Sequence, residues 1–199
     1  VIAGPVNAET VTVAALGDSL TQGYGLPPED GFVPQMEAWL KRQGADVVLI
    51  NAGVSGDTTA GGLSRVAWTL TPDVDAMILA LGGNDLLRGI DPANSRENLK
   101  EILEAAQAAG VRVLLVGLPG PTNYGPDYKA AFDAMYPELS AEFGTALFPD
   151  WFQGLVDLGD PEMVRQTYFQ PDGIHPNAEG VKLIVGALGP AVLALVQGE

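Results

Sequence analysis

Apolar positions in this chain alternate between short unbroken runs and longer stretches of helical period. The runs are 11–16 (VTVAAL), 46–50 (DVVLI), 76–81 (AMILAL) and 111–116 (VRVLLV), with a shorter one at 145–148. The first four are followed by Gly17, by Asn51-Ala52-Gly53, by Gly82-Gly83 and by Gly117. Short apolar runs bounded by glycine suit strands buried on both faces of a parallel sheet. Between them, residues 33–43 place Met36, Trp39 and Leu40 at helical spacing and end at Gly44. Residues 58–70 form the next candidate helix. Residues 94–109 carry Leu99, Ile102 and Leu103 on one face, with Asn94 or Ser95 as N-cap and Gly110 as the stop. The pattern predicts a helix over 128–143 broken at Pro137, and a closing helix over 176–196 with Pro176 in its first turn. Strand and helix in alternation predict an α/β fold, an open and mostly parallel sheet of about five strands with helices on both faces.

Composition narrows the function classes. A chain of 199 residues that is 47% hydrophobic has the material for one core. Ten basic residues against 25 acidic ones give a net charge of −15, a field that repels phosphates, so nucleic acid and anionic membranes are poor partners. The absence of Cys excludes a disulfide scaffold, a thiolate zinc site and a Cys nucleophile, and the single His excludes a multi-His metal site. The uncharged stretch 183–197 is shorter than the roughly 20 residues of a membrane span. It contains Gly186, Gly189 and Pro190, and reads as a buried, kinked helix rather than an anchor. Residues 1–8 (VIAGPVNA) are small and apolar, as in the tail of a secretory signal, although a frayed end has the same look. The expectation is a tail over 1–9 and a single domain over 10–199, periplasmic or secreted, with the cytoplasm as the alternative.

In an open α/β sheet, ligands bind outside the carboxyl ends of the strands. Gly17-Asp18-Ser19-Leu20-Thr21 follows the first strand, Asn51 to Asp57 the second, and Gly82-Gly83-Asn84-Asp85 the third. Pro171-Asp172-Gly173-Ile174-His175-Pro176 precedes the last helix. Ser19 stands where a nucleophile would be displayed, although Ser also suits a helix N-cap there. Ser55, in a glycine-rich loop, is the rival nucleophile. There is no G-x-S-x-G elbow, which disfavours a standard α/β-hydrolase. His175 is the only histidine, and a turn can bring Asp172 onto its imidazole to set the tautomer and stabilise the imidazolium. Gly53 can present a backbone N–H at close range, and Asn84 offers a neutral side-chain donor to a developing oxyanion. As simple turn residues, both would need no such role.

These blocks resemble the GDSL, or SGNH, hydrolases. Gly17-Asp18-Ser19-Leu20 is similar to the family's first block, and Gly53 in Asn-Ala-Gly-Val-Ser-Gly-Asp-Thr-Thr to its second. Gly82-Gly83-Asn84-Asp85 and Asp172-Gly173-Ile174-His175 are similar to the remaining two. The resemblance runs from about Thr10 to the C-terminus and is nearest to the bacterial arylesterase and thioesterase I group, also known as the protease I and lysophospholipase group. It implies a three-layer, flavodoxin-like fold. It also implies Ser19 as nucleophile, His175 as base, Asp172 as its orienter, and an oxyanion hole from Ser19, Gly53 and Asn84. The Pro119-Gly120-Pro121 start of the later loop departs a little from the group's usual form.

The expected reaction is hydrolysis of a small-molecule acyl ester or thioester through an acyl-Ser19 intermediate, with no metal and no cofactor. Leu86, Leu87, Ile90 and Tyr124 are the candidates for an apolar acyl pocket. The alternatives are a carbohydrate O-deacetylase of the same superfamily and a non-catalytic α/β binding module. The loops look short and apolar for a glycan site, and no phosphate-cradling G-x-G-x-x-G or Walker pattern follows the first strand.

Overall fold

The structure is a computed structural model and describes residues 10–198. Strands β1 (Val11–Gly17), β2 (Val47–Gly53), β3 (Ala76–Ala80), β4 (Arg112–Val116) and β5 (Ala146–Phe148) form one sheet in the order β2-β1-β3-β4-β5. Every neighbouring pair is parallel. This is the flavodoxin-like strand order.

Side chains alternate across the strands, so the sheet feeds two cores. Val13, Ala15, Ala76, Ile78, Leu114 and Val116 face helices α2 (Phe32–Arg42) and α9 (Ala178–Gln197). Ala14, Leu16, Met77, Leu79, Val113 and Leu115 face α3 (Thr59–Thr69), α5 (Pro92–Ala108) and α6 (Pro126–Phe143). The result is three layers. Full burial of one side chain such as Leu99 or Ile184 contributes about 1.5–3 kcal/mol. The edge strand β2 departs from two-sided burial: Val47 and Leu49 are covered, while Val48 and Ile50 are exposed.

Several boundaries differ from the sequence pattern. Helix α5 starts at Pro92, with Asp91 as its cap accepting the Ala93 N–H at 2.9 Å, so Asn94 and Ser95 lie inside the helix. Helix α6 is not broken at Pro137. Proline removes one N–H there, but Phe132, Met135, Tyr136 and Leu139 bury into one core from both sides of it. Helix α9 starts at Ala178 behind the cap Asn177, and Pro176 instead forms an antiparallel bridge with Phe169. By length and composition α9 is apolar enough to cross a membrane. Here it packs on the sheet beside α2, burying Ile184, Val185, Leu188 and Val192. Four short helices had no legible period: α1 (Ser19–Gln22), α4 (Gly83–Leu87), α7 (Gln153–Val156) and α8 (Pro161–Tyr168). The expected tail over 1–9 lies outside the described residues.

The chain leaves β1 toward β2, then crosses back over β1 to reach β3. Connections from β1 and β3 therefore run in opposite directions and open a crevice at their carboxyl ends. The site lies at that crevice.

Candidate active site

Strand β1 ends at Gly17, paired with Gly53 on one side and Ala80 on the other, so the next residues emerge at the middle of the sheet edge. Asp18 caps α1: its Oδ1 accepts the Leu20 N–H at 3.0 Å. Ser19 is the first residue of α1, where a helix leaves backbone N–H groups without intrahelical partners. Its Oγ lies 2.9 Å from His175 Nε2.

His175 stands on a turn between α8 and α9. The turn is closed by Gly173 N–H to Gln170 O (2.9 Å) and Gln170 N–H to His175 O (2.8 Å). Asp172 Oδ1 accepts the Ile174 and His175 N–H groups at 2.9 and 3.0 Å, while Oδ2 lies 2.6 Å from His175 Nδ1. The His175 backbone N–H, then the imidazole, then the Ile174 N–H hold the Asp172 carboxyl down at about 2. Two residues outside the sequence expectation support this turn. Gln170 Nε2 donates to Tyr24 O (2.8 Å) and Pro176 O (3.0 Å), and the Tyr24 ring lies 4.6 Å from the imidazole.

Asn84 is on α4, and its Nδ2 donates to Asp57 O at 2.9 Å and, more weakly, to Asp18 Oδ2 at 3.3 Å. Asp18 is buried, and burial pushes its carboxyl up to about 6. Asp57 and Asp85 add to that push, against the Leu20 N–H and His175. Asp85 is also buried, and ties three helices together. Its oxygens accept from Thr59 N–H (2.8 Å), Thr59 Oγ1 (2.6 Å) and Ser95 Oγ (2.8 Å).

The expected glycine donor needs correction. Gly53 belongs to β2, its N–H donates to Asn51 Oδ1 at 3.0 Å, and it does not line the cleft. Its glycine identity has a packing cause: a Cβ there would lie 2.3 Å from the Gln22 backbone N. Gly56, three residues on, does line the cleft beside Ser19, Asn84 and His175. Gly56 has φ +84, which glycine adopts readily, and its N–H has no acceptor among the described residues. Arg88 Nη2 donates to the Gly56 carbonyl at 2.8 Å and holds the loop.

The cleft measures about 450 Å³. Leu86 and Leu87 line it, together with Leu20, Leu118, Pro119, Phe152 and Ile174. Ile90 and Tyr124 do not. The chain turns away at Gly89 (φ +62), and Tyr124 packs on Tyr128 with ring centroids 4.8 Å apart. Ser55 lines the cleft without a hydrogen bond to His175. Among the described residues no cluster of three or more His, Asp or Glu side chains is placed to hold a metal ion.

Residues 15–183 match the GDSL-like lipase/acylhydrolase family. The chain belongs to that family. It is 39% identical over 170 residues to Esterase TesA of Pseudomonas aeruginosa, spanning 85% of this chain and 81% of that protein. It is 33% identical over 190 residues to thioesterase 1/protease 1/lysophospholipase L1 of Escherichia coli K12, spanning 94% and 86%. The crystal structure of AlinE4, an SGNH-hydrolase family esterase, superposes with a TM-score of 0.76 at 40% identity, covering 93% of this chain and 96% of that one. The fold is that of the SGNH hydrolases, and this member of the family is an ester hydrolase. These matches do not favour a deacetylase or a binding module.

Proposed function

We propose that Ser19, His175 and Asp172 carry the hydrolysis as nucleophile, base and orienter. The observation that supports this most is the continuous chain from Ser19 Oγ to His175 (2.9 Å) to Asp172 (2.6 Å) at an apolar cleft. Ser19 Oγ attacks the ester carbonyl as His175 Nε2 takes its proton. The carbonyl oxygen becomes the oxyanion. Its donors are the Ser19 N–H, the Gly56 N–H and the Asn84 amide, with Gly56 replacing Gly53. Asn84 turns toward the oxyanion by releasing its longer contact, the one to Asp18. Collapse breaks the bond to the leaving oxygen or sulfur, which takes the proton from His175. Water, deprotonated by His175, then attacks the acyl-Ser19, and Ser19 recovers its proton.

The substrates in this reading are aryl and short-to-medium acyl esters. Acyl thioesters and lysophospholipids enter by likeness to the Escherichia coli relative. The chemistry needs no metal or cofactor. Residues 10–199 act as one hydrolase domain. A periplasmic or secreted place is the location supported by the small apolar residues 1–8, and cell fractionation tests it. For the site, the experiment is hydrolysis of a p-nitrophenyl ester followed by labelling with an organophosphonate. A single adduct on Ser19, with activity lost in proportion, is the expected result. An adduct on Ser55 would overturn the assignment.

A further inference from the structure

We propose that the apolar cavity between α7 and α8 is a leaving-group site, taking the hydrocarbon part of the alcohol of a neutral ester. The inference rests on the serine mechanism above. The cavity measures about 460 Å³, within the range of roughly 300–1,000 Å³ typical of small-molecule sites. Phe152 lines both this cavity and the catalytic cleft. The turn that carries His175 is the partition between them: Gly173 lines the outer cavity and Ile174 the cleft.

The chemistry sets the direction. The tetrahedral carbon binds Ser19 Oγ, the oxyanion, the acyl chain and the leaving atom. The oxyanion points at Gly56 and Asn84. The leaving atom must receive a proton from His175 Nε2, so it lies on the histidine side. Whatever is attached to it passes Ile174 and Phe152 and reaches the cavity. The acyl chain is left with the opposite wall of Leu86, Leu87, Leu118 and Pro119.

Two further observations define the occupant. Val156 lines the cavity and Ile174 the cleft, and both are large apolar side chains left exposed, so apolar surface is open on both sides of the partition. The charged side chains lining the cavity are Asp160 and Arg165, one of each sign, so nothing there selects a charged ligand.

The test uses two series of water-soluble esters below their aggregation limit. One fixes acetate and lengthens the alcohol from methyl to octyl. The other fixes methanol and lengthens the acid. In the unmodified protein kcat/KM rises along the alcohol series, by up to about fourfold per methylene buried. Val156 is exposed on α7 and does not line the catalytic cleft, so Val156→Asp and Val156→Trp are expected to keep the fold. One places a charge at the cavity and the other fills it. Both are expected to flatten the alcohol series while methyl acetate and the acid series stay within twofold. An alcohol series unchanged in both variants would overturn the proposal. So would flattening of the acid series instead, which would make the cavity an acyl site. Failure of the serine mechanism is separable, because Ser19→Ala would then still hydrolyse methyl acetate.

Discussion

The two walls of the cleft are built differently. The wall that presents Gly56 and Asn84 is anchored by polar contacts reaching into the protein. Arg65 donates to Asp57 Oδ2 (2.6 Å), Ala52 O (2.6 Å) and Gly17 O (2.8 Å), joining α3 to the ends of two strands. Beside Asn84, the buried Asp85 binds Thr59 and Ser95, and Asn98 Nδ2 donates to Thr59 Oγ1 at 2.9 Å. The wall that presents His175 is one turn held by its own backbone, by Asp172 and by Gln170, with exposed apolar residues around it. Stabilising a developing charge favours donors that reorganise little, and in the proposed mechanism the wall of Gly56 and Asn84 is tied by buried bonds, with only the longer Asn84–Asp18 contact exchanged for the oxyanion. In the same proposed mechanism the base serves a series of proton transfers and leaving groups, and its wall is lightly tied. Changes on the first wall should therefore affect folding and chemistry together, and changes on the second should affect chemistry alone.

The largest effect tests the second half of that statement. His175→Ala should lower kcat by about 10⁴–10⁶, and Ser19→Ala, at the nucleophile that both walls face, by as much. The thermal midpoint should stay close to that of the unmodified protein, because the His175 turn holds itself by backbone bonds. A large fall in the midpoint of His175→Ala would mean that the base wall is as integral as the other. Asp172→Asn belongs with these: it keeps an acceptor for the two backbone N–H groups and removes the charge that faces the imidazolium. Its kcat should fall well below that of the unmodified protein while urea unfolding barely changes.

On the oxyanion wall, Asp85→Ala should be the most destabilising change. It strands the Thr59 N–H and the Thr59 and Ser95 hydroxyls in the interior. At about 1–3 kcal/mol for each unsatisfied buried group, stability should fall by about 3 kcal/mol or more. Equilibrium unfolding in urea measures it, and a change under 1 kcal/mol would show that the network does not anchor this wall. Asn84→Ala should lower kcat by roughly 10²–10³ with a smaller change in KM, as for loss of one oxyanion donor. An equal rise in KM with unchanged kcat would mean that Asn84 binds ground state and transition state alike.

The same contrast explains what the sequence reveals. Strands β1, β3 and β4 are legible because burial on both faces leaves continuous apolar runs, and the strand ends then collect Ser19 and Asn84 in plain view. The Asp172–His175 pair is legible because its geometry is local to one turn. The proposed glycine donor is not. The apolar run of β2 stops at Ile50, so Asn51 to Gly53 look like loop, yet the strand continues in register to Gly53 opposite Gly17. Gly53 and Gly56 stand three residues apart in one loop motif, and only the end of the ladder separates their roles. Helices α7 and α8 are too short for a period to emerge. Asp160 followed by Pro161 is a cap and first-turn signal that marks the start of α8. The cavity they enclose is formed by contacts that no local pattern encodes.

The smallest predicted effect concerns how the two walls respond to pH. Asp18, behind the nucleophile, is raised to about 6 from 3.8 by burial. Asp172, on the other wall, is lowered to about 2 by hydrogen bonds. A raised carboxyl binds more protons folded than unfolded between pH 4 and 6, so its contribution to stability is present below pH 4 and is lost as pH rises through 6. A lowered carboxyl does the reverse: its contribution is present above pH 4 and is lost as pH falls toward 2. Asp18 is 4% exposed, so solvent screens it little, and a shift of about two pH units corresponds to about 3 kcal/mol. Asn at position 18 keeps an acceptor for the Leu20 N–H but sets an amide against Asn84, a penalty that does not vary with pH. The stability of Asp18→Asn relative to the unmodified protein should therefore rise by about 2.5 kcal/mol between pH 4 and 7, whatever its offset at pH 4. Urea unfolding of both proteins across that range gives the difference directly. A flat difference would mean that Asp18 ionises as freely as a surface carboxylate, and that no buried charge lies beside Asn84.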